Sequence, residues 1–447
     1  MKQRIGRNRI GQVGAVLVAL AALSTACSSS AKKPATTTPA ATGVAPVVTT
    51  GASTDISPIT SANSIDITPV TSGNSIDVPI ITSANSTDIP VITTGASTDI
   101  PTVTTGGATS GVTTAGISAA ECAANKAAGK ITYISSFDFS ASASIIDVIV
   151  AKDKGYFDKM CLDVTLRSGF STTNYPIVAA GTAQFSSAGN YTEILNFSKD
   201  GAKFVALVDY GKAPIEALIT KDGGATSLDQ LKGKTIGVKG DIPPSIVAML
   251  AEAGLVRGKD YKEVLLDGFD PQAQLKQDID ALPVYKSNEP GQLDRAGVKY
   301  NLFDPAKMDI PGSFGIIYTS ADFAAKHPTA AADFARASLE GMQAAIADPD
   351  AAVATAFKLV TTAGNPNFLT MVGETYRLNQ EIAVVKASTP AGEGIGQIDP
   401  SVFDNEYSSY VAAGVWPQGP PVDGKDYDAA LSKSLFDSSG NVIWPAS

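Results

Sequence analysis

The side chains able to do covalent chemistry are few and poorly placed for it. Histidine occurs once, at His327, just before Pro328 at the start of a predicted helix. A lone imidazole lacks the partners that a triad or a metal site needs, so a capping or surface role is expected. Gly233-Lys234-Thr235 has the ending of a phosphate-binding loop, but Leu228 stands where that loop requires glycine. Gly392-Glu393-Gly394-Ile395-Gly396 has no strand before it and reads as a flexible turn. Neither a Gly-x-Ser-x-Gly elbow nor a Cys-x-x-Cys pair occurs. The reading is a binding protein rather than an enzyme, with no cofactor and no metal.

The elements that would position a binding site alternate from Cys122 onward. Ile131 to Ile134 reads as a strand, Ser144 to Lys154 as a helix with Ile145, Ile146, Ile149 and Val150 on its apolar face, and Leu162 to Leu166 as the next strand. A helix over Tyr175 to Ala180 ends at Gly181, before a strand from Ala183 to Ser186. A second unit of this kind follows, with a strand at Thr235 to Val238 and a helix from Ser245 to Ala253 opened by Pro243-Pro244. Phe314 to Tyr318 reads as a strand returning to the first unit, ahead of helices over 328–346 and 349–363. The alternation predicts an α/β protein with largely parallel sheets: a first lobe over 119–221, a second lobe inserted over 222–310, and the first lobe resumed over 311–447. A ligand is expected in the cleft between them, at the carboxyl ends of the strands. Ser187-Ala188-Gly189-Asn190, a loop after a strand, offers hydrogen-bonding groups there, although such a loop can equally be a plain turn.

The beginning of the chain reads differently. A basic head (Lys2, Arg4, Arg7, Arg9) precedes an apolar run from Val13 to Leu23 that is too short to span a bilayer and fits an export signal. Ser24-Thr25-Ala26-Cys27 resembles a bacterial lipobox, with Leu23 one position further upstream than usual; ordinary cleavage without lipid is the alternative. Lipid on Cys27 would anchor the chain to the outer face of the cell membrane. Residues 1–27 are thus read as a lipoprotein signal. Residues 28–118 form a low-complexity stretch rich in Thr, Ser and Pro, in which Asp55, Asp66, Asp77, Asp88 and Asp99 recur every eleven residues, each with a proline close behind. Proline in every copy removes a ladder donor, which favours a disordered tether over a solenoid. About 90 such residues would reach on the order of 50 Å. Cysteine occurs three times; with Cys27 acylated, Cys122 and Cys161 remain to pair in an oxidising compartment, against two buried thiols as the plainer reading.

The formal net charge is −10, and nearer −14 once the four basic residues of the signal are gone. With no cluster of Lys and Arg, nucleic acid is excluded as a partner.

Several segments in order resemble the substrate-binding proteins of ABC importers in the nitrate, sulfonate, taurine and thiamine-pyrimidine-precursor group. They are Ala151 to Phe157 followed by Leu162-Asp163-Val164, Ile177 to Phe185, Leu228 to Val238, and Tyr285-Lys286-Ser287-Asn288-Glu289-Pro290-Gly291. The resemblance covers about 130–415. It implies a two-lobed type II periplasmic-binding fold, a small-molecule ligand, a partner permease with its ATPase, and a monomer. The Tyr-x-x-Asn-Glu-Pro segment is most similar to the branch that binds aminopyrimidine precursors of thiamine. There a tyrosine stacks on the ring and a glutamate four residues later accepts from its amine, which assigns these roles to Tyr285 and Glu289, with Asn288 beside them. Phe139 falls where relatives carry a stacking tryptophan, and Ser142 where they often carry asparagine; Ser187 and Asn190 complete the expected ligand set.

A flat heteroaromatic gains from stacking on Phe or Tyr, and its amine from a carboxylate acceptor. Taken singly, Tyr285 and Phe139 could be core packing and Glu289 a solvated rim charge. Among the candidate loops Lys286 is the only cation, set against Asp138 and Glu289, which favours a neutral or cationic ligand over nitrate, a sulfonate or taurine. A pyrimidine-synthase-like enzyme lacks its cysteine-rich run here, and a surface adhesin would place binding in the repeats.

Overall fold

The computed structural model describes residues 66–68, 80–82, 117–199, 201–416, 419–421 and 425–445. The signal, Cys27 and most of the repeat stretch lie outside them. Two short strands, β1 (Asp66–Thr68) and β2 (Ile80–Thr82), pair antiparallel within a unit spanning Met1–Gly107. The unit Ala108–Ser447 carries everything else described below. No helix among the described residues is long and apolar enough to cross a membrane.

The larger unit contains two five-stranded sheets. The first is built from β3 (Lys130–Ile134), β4 (Asp163–Arg167), β5 (Phe185–Ala188), β6 (Phe204–Gly211) and β12 (Phe314–Ser320), in the order β4-β3-β5-β12-β6. The second is built from β7 (Glu216–Lys221), β8 (Thr235–Val238), β9 (Lys262–Leu265), β10 (Ala281–Tyr285) and β11 (Tyr300–Phe303), in the order β11-β7-β10-β8-β9. The chain therefore crosses to the second lobe between β6 and β7, before residue 222, and returns between β11 and β12. The sequence boundary fell late because β7 has no helix before it to mark a new unit.

The expectation of largely parallel sheets holds for four of the five strands in each of these two sheets. β3 runs parallel to β4 and β5, and β8 parallel to β9 and β10. In each sheet one strand, the one that enters the lobe from a crossing, runs the other way: β12 is antiparallel to β5 and β6, and β7 to β10 and β11. A strand that enters a lobe from the crossing must run against those whose helices return the chain within it.

Local chemistry explains the elements that hold the first lobe. β3 is a run of β-branched and aromatic residues, with Ile131 and Tyr133 fully buried. The turn after the helix Ile146–Asp153 uses Gly155 at φ +69°, a left-handed conformation open to glycine at little cost. The helix Pro328–Ala347, with proline in its first turn, lays Phe334 on the sheet. Its ring stacks on Phe185 at 3.8 Å and lies 4.9 Å from Phe157. His327 joins this helix to the preceding one, Ala321–Lys326, without a side-chain capping bond; its ring lies 5.1 Å from Phe323. Cys122 and Cys161 are joined by a disulfide that ties the helix Ala119–Ala127 to the lobe.

Candidate functional site

Four strands deliver their carboxyl ends to one crevice. The loop after β3 brings Ser136, Phe137 and Ser140; the loop after β5 brings Gly189; the residue after β8 is Lys239; and β10 ends in Tyr285, with Asn288 and Glu289 beyond. Ile215 and Phe314, at the two crossings, complete the floor. Together with residues from neighbouring helices they enclose a cavity of about 370 Å³ between the lobes. That lies within the range of small-ligand sites.

The crevice brings together some of the expected residues and not others. Tyr285, Asn288, Glu289 and Ser142 line it. Tyr285 is 38% exposed, and its backbone N–H donates to the Glu289 carboxylate at 2.9 Å, so the strand end and the following helix turn form one rigid corner. Asn288 accepts from Arg377 at 3.1 Å. Ser142 donates to Glu381 at 2.9 Å.

Phe139 is buried in the core of the first lobe and does not line the cavity; Phe137, two residues earlier, does. Between them Asp138 adopts φ +48°, and this left-handed turn decides which ring faces the crevice. Ser187 is buried below the floor, where its hydroxyl accepts from the Ser136 N–H at 2.9 Å and meets the Tyr133 hydroxyl at 3.0 Å. Asn190 caps the helix Tyr191–Ser198, and its amide donates to Glu216 at 3.0 Å, across the first crossing. Ser187 and Asn190 thus shape the walls from behind.

Residues not anticipated supply much of the lining. Phe170 and Phe269 stand at the mouth, 39% and 57% exposed, one from each lobe. Their rings sit 5.5 Å and 6.4 Å from Phe137, edge to face. Glu193, Lys239, Arg377 and Glu381 add charge. Lys239 follows a recognisable strand and could have been found by that position. Arg377 and Glu381 lie on the helix Met371–Ser388, where nothing in the local sequence points to a cleft.

The cavity's cations are committed to carboxylates. Lys239 is ion-paired with Glu289, and Arg377 with Glu374 at 3.2 Å. Burial alone would raise the Glu289 carboxyl, but the Lys239 ammonium outweighs it and holds Glu289 below the usual range. Burial pushes Glu193 up to about 7, against the Gly189 N–H that donates to it at 2.8 Å and with the help of nearby Glu216. Burial also raises Glu381, despite Arg377 and the donors from Ala143, Ser142 and Ser287. Lys286, the one cation expected nearby, instead pairs with Asp304 at 2.7 Å and does not line the crevice. The site therefore offers acceptors and ring faces rather than a free cation.

A wider depression of about 580 Å³ is lined by Arg257, Gly258, Tyr261, Lys262, Glu263 and Gly414. The Arg257 guanidinium is already held by Asp241 and Glu263, and no strand end of either sheet converges there except β9 at the edge of the second.

Comparison with known proteins agrees with this architecture. Residues 142–352 match the model of the NMT1/THI5 like family. Riboflavin-binding protein RibY from Chloroflexus aurantiacus is 28% identical over 211 residues, covering 45% of this chain and 59% of that protein. The chain thus matches about three fifths of the length of this curated relative. Among solved structures, the periplasmic aliphatic sulphonate binding protein SsuA from Escherichia coli aligns with a TM-score of 0.50 at 13% identity, over 66% of this chain and 91% of that one. The periplasmic nitrate-binding protein NrtA from Synechocystis PCC 6803 gives 0.49 at 13% identity, over 68% and 88%. At these identities the likeness to solved structures is one of fold, and the fold is that of periplasmic binding proteins.

Proposed function

We propose that this chain, matched over residues 142–352 by the NMT1/THI5 like family, is an extracytoplasmic solute receptor that hands a flat heteroaromatic molecule to an ABC importer. The observation that carries the reading is the crevice itself, where Phe137, Phe170, Phe269 and Tyr285 surround the carboxylates of Glu193, Glu289 and Glu381. A ring bearing amino groups gains from stacking and from a charge-assisted hydrogen bond to Glu289, whose carboxyl Lys239 holds below the usual range. An aminopyrimidine precursor of thiamine meets these requirements, with Tyr285 against its ring and Glu289 accepting from its amine. The name of the RibY relative, a riboflavin-binding protein, points to another flat heteroaromatic of the same general chemistry.

Anions such as nitrate, a sulfonate or taurine fit less well, because Lys239 and Arg377 are already neutralised by Glu289 and Glu374. Closure of the lobes over the ligand would present a docking surface to the permease and its ATPase, while lipid on Cys27 would keep the receptor at the outer face of the membrane. The binding step needs no covalent chemistry.

A thermal-shift panel tests the reading. An aminopyrimidine thiamine precursor or riboflavin is expected to raise the melting temperature, since a ligand at about 100 times its Kd adds ~2.7 kcal/mol. A shift with taurine or nitrate, and none with either aromatic, would reverse the assignment of ligand class.

A further inference from the structure

Besides the two chain crossings, the lobes meet along a polar seam at the edge of the crevice. On one side is the helix Met371–Ser388, packed with the first lobe; on the other is the turn from Tyr285 into the helix Glu289–Arg295 of the second. The Ser287 hydroxyl, itself buried, donates to Glu381 at 2.9 Å. Arg377 donates to Asn288 at 3.1 Å, and the Tyr376 hydroxyl donates to the Lys286 carbonyl at 3.3 Å. Gly291 lies directly under the Tyr376 ring, where an added Cβ would sit 2.5 Å from ring carbons, and Arg295 stands 5.8 Å from the ring centre. Every residue from Tyr285 to Asn288 except Tyr285 itself is thus held from the other lobe, and the same turn presents Tyr285, Asn288 and Glu289 to the cavity.

We infer that the helix Met371–Ser388 is a reversible latch, whose Tyr376, Arg377 and Glu381 hold the turn 285–289 and so couple ligand contact to lobe closure. These are positioning residues for the second-lobe half of the site. They lie outside the segment matched by the NMT1/THI5 like family.

Reversibility follows from how each group is satisfied. If Ser287 withdraws, Glu381 keeps donors from its own lobe: Ser142 at 2.9 Å and the Ala143 N–H at 2.7 Å. If Asn288 withdraws, Arg377 keeps Glu374 at 3.2 Å. Opening therefore breaks a few hydrogen bonds without stranding a buried charge, which is the costly outcome. Closure needs a close approach of two helices, and Gly291 supplies it.

The latch is tested by lobe separation, measured by energy transfer between dyes on cysteines introduced at the exposed positions Asp163 and Lys262 of the mature chain. Without ligand, Ser287→Ala and Gly291→Ala are expected to shift the distance distribution toward separated lobes, and Ser287→Thr, which keeps the hydroxyl, to restore it. Circular dichroism reports whether each variant is folded, and Tyr376→Phe provides a milder probe should Gly291→Ala fail to fold. Folded Ser287→Ala and Tyr376→Phe variants with an unchanged distribution would overturn the latch. The ligand arm rests on the receptor reading. With the aminopyrimidine or riboflavin as probe, Ser287→Ala is expected to weaken binding by about tenfold, mainly through faster dissociation. If no probe binds the unaltered chain, the receptor reading fails while the ligand-free distances still decide the latch.

Discussion

The lobes of this protein meet along two seams of opposite character. One is apolar: the helix Pro400–Ala412 lies between the helix Pro244–Glu252 of the second lobe and the helix Tyr191–Ser198 of the first. Ile246, Met249, Leu250, Ile194, Phe403 and Tyr410 share one buried cluster there, and Phe403 stacks on Tyr191 at 3.9 Å. The other is the polar contact of the helix Met371–Ser388 with the turn 285–289, made of single hydrogen bonds and one glycine-to-ring approach. Parting the first would expose a large apolar area, at about 25 cal/mol per Å², whereas parting the second exchanges hydrogen bonds with water at small net cost. The difference identifies the apolar seam as the permanent side of a hinge and the polar seam as the side that opens.

That contrast can be broken in several ways. The largest effect is expected from Phe403→Ala, which empties a fully buried, stacked position. Unfolding in urea should show a loss of about 3–5 kcal/mol. A loss under about 1 kcal/mol would mean that the apolar seam is not structural.

Next comes pH. Glu406, on the helix of the apolar seam, accepts from Thr192 and Ser313, and burial lifts it from the ordinary carboxyl range to about 7. A carboxyl raised on folding stabilises the protein below its unfolded pKa and loses that contribution as pH rises through the folded value. Stability should therefore decline between about pH 4.5 and 7 and level off above, with the slope flattened in Glu406→Gln. Glu289 acts in the opposite sense: its contribution, held by Lys239, is lost as pH falls below the usual carboxyl range. A denaturation series across pH that is equally steep in Glu406→Gln and the unaltered chain would remove Glu406 from the account.

In the crevice, Phe137→Ala should weaken binding of an aromatic probe by about tenfold, as expected for the loss of one stacking partner, while Phe139→Ala should act on stability instead. Calorimetric titration of both variants separates the two. The smallest stability effect is expected at the polar seam, where Ser287→Ala should cost about 0.5–1.5 kcal/mol or less by urea unfolding. A larger loss there would make both seams structural and erase the contrast.

Some of this was legible in the chain and some was not, for physical reasons. The pair Tyr285 and Glu289 could be read because one strand end and one helix turn hold both, so their relation is local. The ring facing the crevice could not. Phe137 and Phe139 are two residues apart in the same loop, and only the left-handed turn at Asp138 separates lining from core. Asn190 follows β5 as expected, whereas Ser187, read as part of the loop, lies within that strand; the polar groups of both are consumed by Glu216, Ser136 and Tyr133, partners that sequence distance hides.

By itself the sequence determined the alternation of strands and helices and the insertion of one lobe in another, because these depend on apolar periodicity and turn residues. Tertiary structure decided which strands run against their neighbours, which phenylalanine faces the crevice, and that Arg377 and Glu381 reach the turn 285–289 from roughly ninety residues away. Those outcomes depend on the packing of distant surfaces, which no local pattern of residue types encodes.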